Sequence, residues 1–184
     1  MNETTGPGRE AAAERRRRVE AAVRQDPTRM TLLLARDLAV PEVEVVRALP
    51  DGRAAELDAG RWEELLRAFE GLGEVHVIVS NGAATLEAVG RFGGFSTTGP
   101  FFNVQTKSLD MHIRHQELAA VFAVEKPSHM DADTPAARRA MTLSFQFFDR
   151  TGAAALKVFV HFAGAPRPER VAQFAALRDR FRKV

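Results

Sequence analysis

The 184-residue sequence contains no cysteine and no tyrosine, and its only tryptophan is Trp62. The absence of cysteine excludes disulfide bonds and thiolate metal sites, and it is typical of proteins in a reducing compartment. Because neither thiols nor phenols titrate, a formal net charge of only +2 gives an isoelectric point of about 9.5. The basic isoelectric point is therefore weak evidence for a nucleic-acid partner.

Long apolar runs and familiar catalytic motifs are also missing. No stretch approaches the roughly 18 apolar residues of a membrane span, and the polar first residues predict no secretory signal. We therefore expect a cytoplasmic protein without membrane insertion. The sequence has no HExxH, GxSxG or Walker motif. His112 and His115 are three residues apart, so on a strand they point to opposite faces and would not share a metal.

The sequence does contain a succession of helical patterns, then strand patterns, then one more helix. We interpret residues 1–27 as a disordered or helical N-terminal extension, with residues 1–8 disordered, and residues 28–184 as a single domain. Helices are predicted over 9–25, within 28–49, over 58–71 and over 166–184. About seven strands lie between the last two helices, so the expected fold class is α+β with antiparallel pairing.

The two short helices predicted within residues 28–49 have the outline of a helix-turn-helix motif. The second helix would place Glu42 and Glu44 at its leading end and offers only Arg47 as a base. Carboxylates in that position weaken binding to a polyanion. A DNA-binding or interaction module remains an alternative, but we do not expect nucleic acid to be the partner.

Residues 141–162 predict a hairpin around the turn Asp149–Gly152. Pairing Phe145 with Leu156 gives a core face and a polar face. The core face comprises Leu143, Phe145, Phe147, Leu156, Val158 and Val160. The polar face comprises Thr142, Ser144, Gln146, Lys157, Phe159 and His161.

Two more strand pairs are predicted upstream. Asn81-Gly82 is typical of a two-residue hairpin turn, and that pairing sets His76 opposite Glu87 as an ordinary cross-strand pair. The second pair turns around Lys107-Ser108. On its second strand the side chains of Asp110, His112 and Arg114 share the polar face.

Four segments resemble the bacterial haem-utilisation proteins of the HutX/ChuX and HemS type: FQFFDRTGAAALKVF, GPFFNVQTKSLDMHIR, FAVEKP and WEELLRAFEGLGEV. The resemblance implies an antiparallel α+β saddle with N-terminal helices and a C-terminal helix. It also implies a homodimeric cytoplasmic carrier that binds haem as an exchangeable, non-covalent b-type group. The implied protein partner is a haem transporter or a haem-degrading protein. A haem-degrading enzyme of the HemS type is the alternative, although a carrier is expected.

The resemblance also implies which residues contact haem. ChuX-like proteins carry histidines before the first hairpin turn and before the GxFN segment, where this chain has Ser80 and Ser96 to Thr98. His112 matches a histidine of ChuX-like sequences and is the expected iron ligand. The remaining expected contacts are aromatic walls and polar or basic groups: Phe101, Phe102, Phe159, Arg114, Lys126, Gln146 and Lys157.

Overall fold

The computed structural model describes residues 7–129 and 141–184. The helices are α1 (Pro7–Gln25), α2 (Thr31–Leu38), α3 (Glu42–Arg47), α4 (Trp62–Ala68) and α5 (Pro168–Phe181). The strands are β1 (Ala54–Leu57), β2 (Glu74–Ser80), β3 (Thr85–Arg91), β4 (Phe95–Thr98), β5 (Phe101–Gln105), β6 (Asp110–Arg114), β7 (Leu118–Pro127), β8 (Met141–Asp149) and β9 (Ala154–Val160). Of residues 1–8, which the sequence predicts to be disordered, 1–6 lie outside the described residues, whereas Pro7 and Gly8 begin α1. The sequence also predicts a long polar loop over 126–139. Its first two residues are instead the end of β7, and 130–139 lie outside the described residues.

The strands form two antiparallel sheets. The larger sheet has six strands in the order β1-β7-β8-β9-β2-β3, and the smaller sheet has three in the order β4-β5-β6. Helices lie at both ends of the chain, so the predicted α+β class is confirmed.

The main core lies between the two sheets and is closed by α4 and α5. Phe145 of β8 has no exposed surface, and its ring contacts Phe69 and Phe174, each with centroids 4.9 Å apart. Phe102 of β5 and Ile113 of β6 enter the same core from the smaller sheet. Every residue that the sequence assigned to the core face of the last hairpin is buried.

Both predicted hairpin registers are wrong by two residues. Phe145 lies opposite Val158 rather than Leu156, and a bulge follows Phe147. In the first hairpin Ser80 pairs with Thr85, so the loop has four residues rather than the predicted Asn81-Gly82 pair. The Asn81 side chain accepts bonds from two amides of that longer loop. A shift of two preserves the alternation of side chains, so the face assignments remain correct.

Short elements and element ends departed further from the sequence prediction. Strands β1 and β4 were not predicted, because each has only four residues and β4 lies in a glycine-rich stretch. The helix predicted over 58–71 is α4 flanked by two 3₁₀ turns. The helix predicted over 166–184 is α5, which is shorter at both ends; its Phe174 and Phe181 are buried, whereas Val171 is exposed.

The helices α1, α2 and α3 form a layer over the larger sheet, on the face opposite the main core. Val19 and Val23 of α1 are buried against Leu34 and Ala35 of α2, and a separate cluster joins α3 to the sheet. The α1 helix therefore packs as part of this layer rather than extending freely. None of the helices within residues 7–129 and 141–184 is long and apolar enough to cross a membrane.

Candidate functional site

A cavity of about 820 Å³ lies between the helical layer and the larger sheet. Its floor is the outer face of β8, β9, β2 and β3, because strand alternation directs Gln146, Lys157, Phe159, His76 and Ile78 away from the main core. Its roof is α2, the start of α3 and the turn between them. The polar hairpin face predicted from the sequence is therefore the floor of a cavity rather than a solvated surface.

The roof is attached to the sheet at several points. The Val43 amide donates to the Gly152 carbonyl at 3.0 Å, in the β8–β9 turn. At the other hairpin, Arg36 Nη1 donates to the Gly82 carbonyl at 2.7 Å. Lys126 Nζ donates to the Thr28 carbonyl at 2.7 Å, just before α2. These contacts fix the height of the cavity.

An ion pair joins roof and floor at the centre of the cavity. Lys157 Nζ of β9 contacts Glu42 Oε1 of α3, and the two side chains are 16% and 3% exposed. The Thr31 hydroxyl of α2 donates to the same Glu42 oxygen at 2.5 Å and accepts from Lys157 at 3.3 Å. The charge that the sequence assigned to Lys157 is therefore largely neutralised by a carboxylate from the helical layer.

Lys126 is a second lysine of the cavity, on β7. Burial lowers the pKa of its ammonium group to about 8; the nearby Asp26 carboxylate opposes this lowering, and the positive charges of Lys157 and Arg53 add to it. A partly buried ammonium group with no ion pair among the described residues favours an anionic partner.

Two histidines line the cavity. His76 Nε2 lies 2.8 Å from Glu87 Oε2, which confirms the predicted pairing although the two residues are diagonal rather than opposite. His129 follows β7, is exposed, and has no hydrogen-bond partner among the residues that the structure describes. Those residues contain no group of three or more histidine, aspartate or glutamate side chains able to hold a metal ion. His129 is therefore the cavity histidine with a free ring.

The structure divides the eight haem contacts predicted from the sequence. Four of them line the cavity: Gln146, Lys157, Phe159 and Lys126. Phe101, His112 and Arg114 lie instead on the outer face of the smaller sheet, with the main core between them and the cavity. Phe102 has no exposed surface and packs on Trp62 and Phe95, so it is a core residue rather than a wall.

His112 belongs to a small polar network on that outer face. Its Nδ1 lies 2.8 Å from Asn103 Oδ1, and the Asn103 amide donates to Ser96 Oγ at 3.0 Å. This arrangement favours the tautomer with its proton on Nδ1, and Nε2 lies 3.8 Å from Asp110 Oδ1. Arg114 and Phe101 flank the network, the guanidinium 6.0 Å from the ring centre. His112 is thus presented to solvent and not to the cavity of its own chain.

The serine positions singled out from the sequence also separate. Ser80 lines the cavity, and its hydroxyl donates to the Ala84 carbonyl at 3.1 Å. Ser96 and Thr98 bind Asn103 on the smaller sheet.

Sequence reasoning missed several cavity residues, among them His129, Glu42, Thr31 and Arg36. His129 lies in a stretch interpreted only as a polar loop, and Glu42 was considered only as an obstacle to DNA binding. No sequence signal links Glu42 to Lys157, because the two are separated by 115 residues and meet only after the helical layer packs.

Comparisons with known proteins are consistent with this geometry. Residues 55–177, about two thirds of the chain, match the family described as haem utilisation ChuX/HutX. The intracellular haem transport protein HutX of Vibrio cholerae is 23% identical over 174 residues, covering 90% of this chain and 83% of HutX.

Solved structures show the same fold. The haem-binding protein ChuX superposes with a TM-score of 0.72 at 20% identity, covering 88% of this chain and 97% of ChuX. The haem-degrading enzyme ChuS of Escherichia coli O157:H7 superposes with a TM-score of 0.73 at 25% identity, covering 92% of this chain but 47% of ChuS. The chain thus spans about half the length of ChuS. By its sequence match and its fold, the chain belongs to the haem utilisation ChuX/HutX family.

Proposed function

We propose that this protein is a cytoplasmic haem carrier, which binds haem non-covalently in the cavity between the helical layer and the larger sheet. The observation that carries the proposal is the cavity itself, an apolar-walled space with basic side chains, in a chain of this family. The name of its relative HutX, an intracellular haem transport protein, supports the same role.

The residues of the cavity fit haem chemically. Its volume lies within the roughly 300–1,000 Å³ of small-molecule sites. Ile78 and Phe159 give the apolar floor that a porphyrin ring requires. Lys126 and Arg36 supply positive charge for the two propionates. Gln146 and Lys157, predicted from the sequence, would lie under the ring or at its edge.

His129 is the proposed iron ligand from within the cavity, because its ring has no partner among the described residues. His76 is the second candidate for the iron ligand, since its Nε2 already contacts Glu87. His112, the ligand expected from the family resemblance, faces away from the cavity of its own chain, so it would reach iron only at a separate site or in a second copy. Ligation by one neutral imidazole suits a carrier that must release its cargo.

We propose that the protein carries haem rather than degrades it, and that it passes haem to a transporter or a haem-degrading protein. The similarity to ChuS, named a haem-degrading enzyme, gives the alternative. Incubating the haem complex with a reductant and oxygen separates them: a carrier retains its Soret band, whereas a degrading enzyme loses it with turnover.

Titration with haemin tests the carrier function. We expect a saturable Soret change at one haemin per chain. His129→Ala should shift the Soret maximum and weaken binding, because it removes the proposed axial imidazole. His161→Ala is the matched control, since His161 is half-buried and lies outside the cavity wall.

Two results would contradict this reading. A Soret shift in His112→Ala, with none in His129→Ala, would assign the iron to the smaller sheet. The absence of any saturable Soret change in the wild type would exclude the carrier function.

We further propose a homodimer. The chain corresponds to one half of the ChuS polypeptide, so two copies supply the equivalent of the tandem protein.

A further inference from the structure

The basic group nearest the middle of the cavity floor is not free. Lys157 donates to Glu42 Oε1 and to the Thr31 hydroxyl, and Thr31 itself donates to Glu42. Because roof and floor shield this group from water, the attraction between the two charges is stronger than on a surface. The pair presents a neutral centre to whatever occupies the cavity.

Most hydrogen-bond donors at this centre are already used. Gln146, directly opposite Lys157 on β8, donates its amide to Ser144 Oγ at 3.0 Å. Among the described residues that line the cavity, the buried side-chain atoms without a partner are two acceptors, Glu42 Oε2 and Gln146 Oε1. A carboxylate arriving here would therefore face unpaired oxygens and a lysine whose charge is already matched.

Among the described residues of the cavity, two lysine or arginine side chains lie outside ion pairs. Lys126 donates only to backbone carbonyls, and Arg36 donates to the Gly82 carbonyl. At the far strands, the imidazole of His76 is engaged by Glu87. Two unpaired basic groups match the two carboxylates of haem.

From this charge arrangement we infer that Glu42 determines the specificity of the cavity. By holding Lys157 in a buried pair, it favours tetrapyrroles with two carboxylates and disfavours those with four. The inference rests on the proposed haem-binding function and names the substrate class within it.

The test compares haemin with coprohaem, an iron porphyrin that carries four propionates. The wild type should bind haemin more tightly. Glu42→Gln keeps the shape of the side chain but frees the ammonium of Lys157, so the affinity for coprohaem should rise about tenfold, as a new charge-assisted hydrogen bond allows. The readout is the preference between the two porphyrins: affinity for haemin should change less than that for coprohaem, because the two haemin carboxylates are already matched by Lys126 and Arg36.

Glu44→Gln is the matched control, because Glu44 lies on the same helix but pairs with Arg15 outside the cavity. It should leave both affinities unchanged. Glu42→Gln combined with Lys157→Met should return coprohaem binding to the wild-type value, since no ammonium remains to be freed. If Glu42→Gln alone does not fold, the double variant still tests the role of Glu42. It replaces the ion pair, which is neutral overall, by two uncharged side chains, so the preference for haemin should be preserved.

A folded Glu42→Gln variant with unchanged coprohaem affinity would overturn the inference, while haemin binding by the wild type would leave the carrier function in place. Loss of the haemin preference in the double variant would also overturn it. A wild type that binds neither porphyrin would overturn the proposed function and this inference together.

Discussion

Lys126, one of the two basic residues that we propose for the haem propionates, also reduces the stability of the free protein. Burial holds its pKa at about 8, well below that of a lysine in water. At neutral pH the Lys126 ammonium of the folded protein is therefore still charged, although burial disfavours the charged form. The same partly buried charge is available to an anionic ligand, so a residue that lowers the stability of the free protein would strengthen ligand binding.

The pH dependence of stability tests this reading of Lys126. An unfolded lysine titrates near 10.4, so between about pH 8 and pH 10.4 the unfolded chain binds more protons at this residue than the folded one. The free energy of unfolding of the wild type should therefore rise relative to Lys126→Met across that range. We expect a gain on the order of 1 kcal/mol in urea denaturation series at pH 7 and pH 10, allowing for partial exposure.

Lys107→Met is the control, because Lys107 is exposed in the β5–β6 turn. Its stability relative to the wild type should not change over the same range. If the difference in unfolding free energy between the wild type and Lys126→Met is also independent of pH, water reaches the Lys126 ammonium freely.

Single residues were predicted well from the sequence only where local alternation decides their position. Phe145 was correctly assigned to the core and Gln146 to the opposite face, because neighbours on a strand must point in opposite directions. The role of Glu42 could not be predicted, since its partner Lys157 comes from a strand far along the chain.

At the level of elements, the contact between the β8–β9 turn and the start of α3 holds the helical layer on the sheet. Gly152 has φ +82°, and a Cβ added there would lie 2.7 Å from Pro41 Cβ and 2.8 Å from Val43 Cγ1. Its carbonyl also accepts the Val43 amide. Only glycine allows both the turn and this close approach.

Gly152→Ala should therefore move the roof away from the floor. We expect a loss of about 1–3 kcal/mol in the free energy of unfolding, from backbone strain and steric overlap. Haemin affinity should fall as well, because the cavity is bounded by the displaced helices. Chemical denaturation and haemin titration of the same variant measure the two effects.

Gly99→Ala measures the effect of backbone strain without the effect of steric overlap. Gly99 also has positive φ, at +55°, but an added Cβ would meet nothing within 4 Å. This variant should lose some stability and keep the wild-type haemin affinity. Equal haemin affinity in both variants would show that the β8–β9 turn does not set the geometry of the cavity.

Helices and strands with long sequence patterns were predicted correctly, whereas the turns that connect them were not. The two main hairpins, α5 and the pair α2–α3 follow from periodicity and turn residues. The hairpin registers were wrong because a bulge follows Phe147 in β8 and the β2–β3 loop has four residues. Alternation gives the face on which each side chain lies but does not fix which residues lie opposite each other.

For the whole molecule, the two edges of the larger sheet differ. At one edge, the β1 residue Leu57 bridges to Arg182 beyond α5. The other edge, β3, carries the exposed apolar side chains Leu86 and Val89, 64% and 43% accessible. An exposed edge strand with apolar side chains is suited to pairing with a second chain.

The candidate site could be predicted only in part from the sequence. Some of the predicted residues lie in the cavity and others on the outer face of the smaller sheet, and these two surfaces are on opposite sides of the chain.

We expect light scattering to show a homodimer at tens of micromolar, and Leu86→Lys to shift it toward the monomer. A lysine on an edge strand opposes pairing because burying its charge is unfavourable. Val171→Lys is the matched control, since Val171 is also an exposed apolar residue, 39% accessible, but lies on α5 away from this edge. A wild type that remains monomeric would contradict the homodimer, whereas a dimer insensitive to Leu86→Lys would leave the homodimer standing and exclude this edge. In that case the outer face of the smaller sheet, with Phe101 and His112, would become the surface to test.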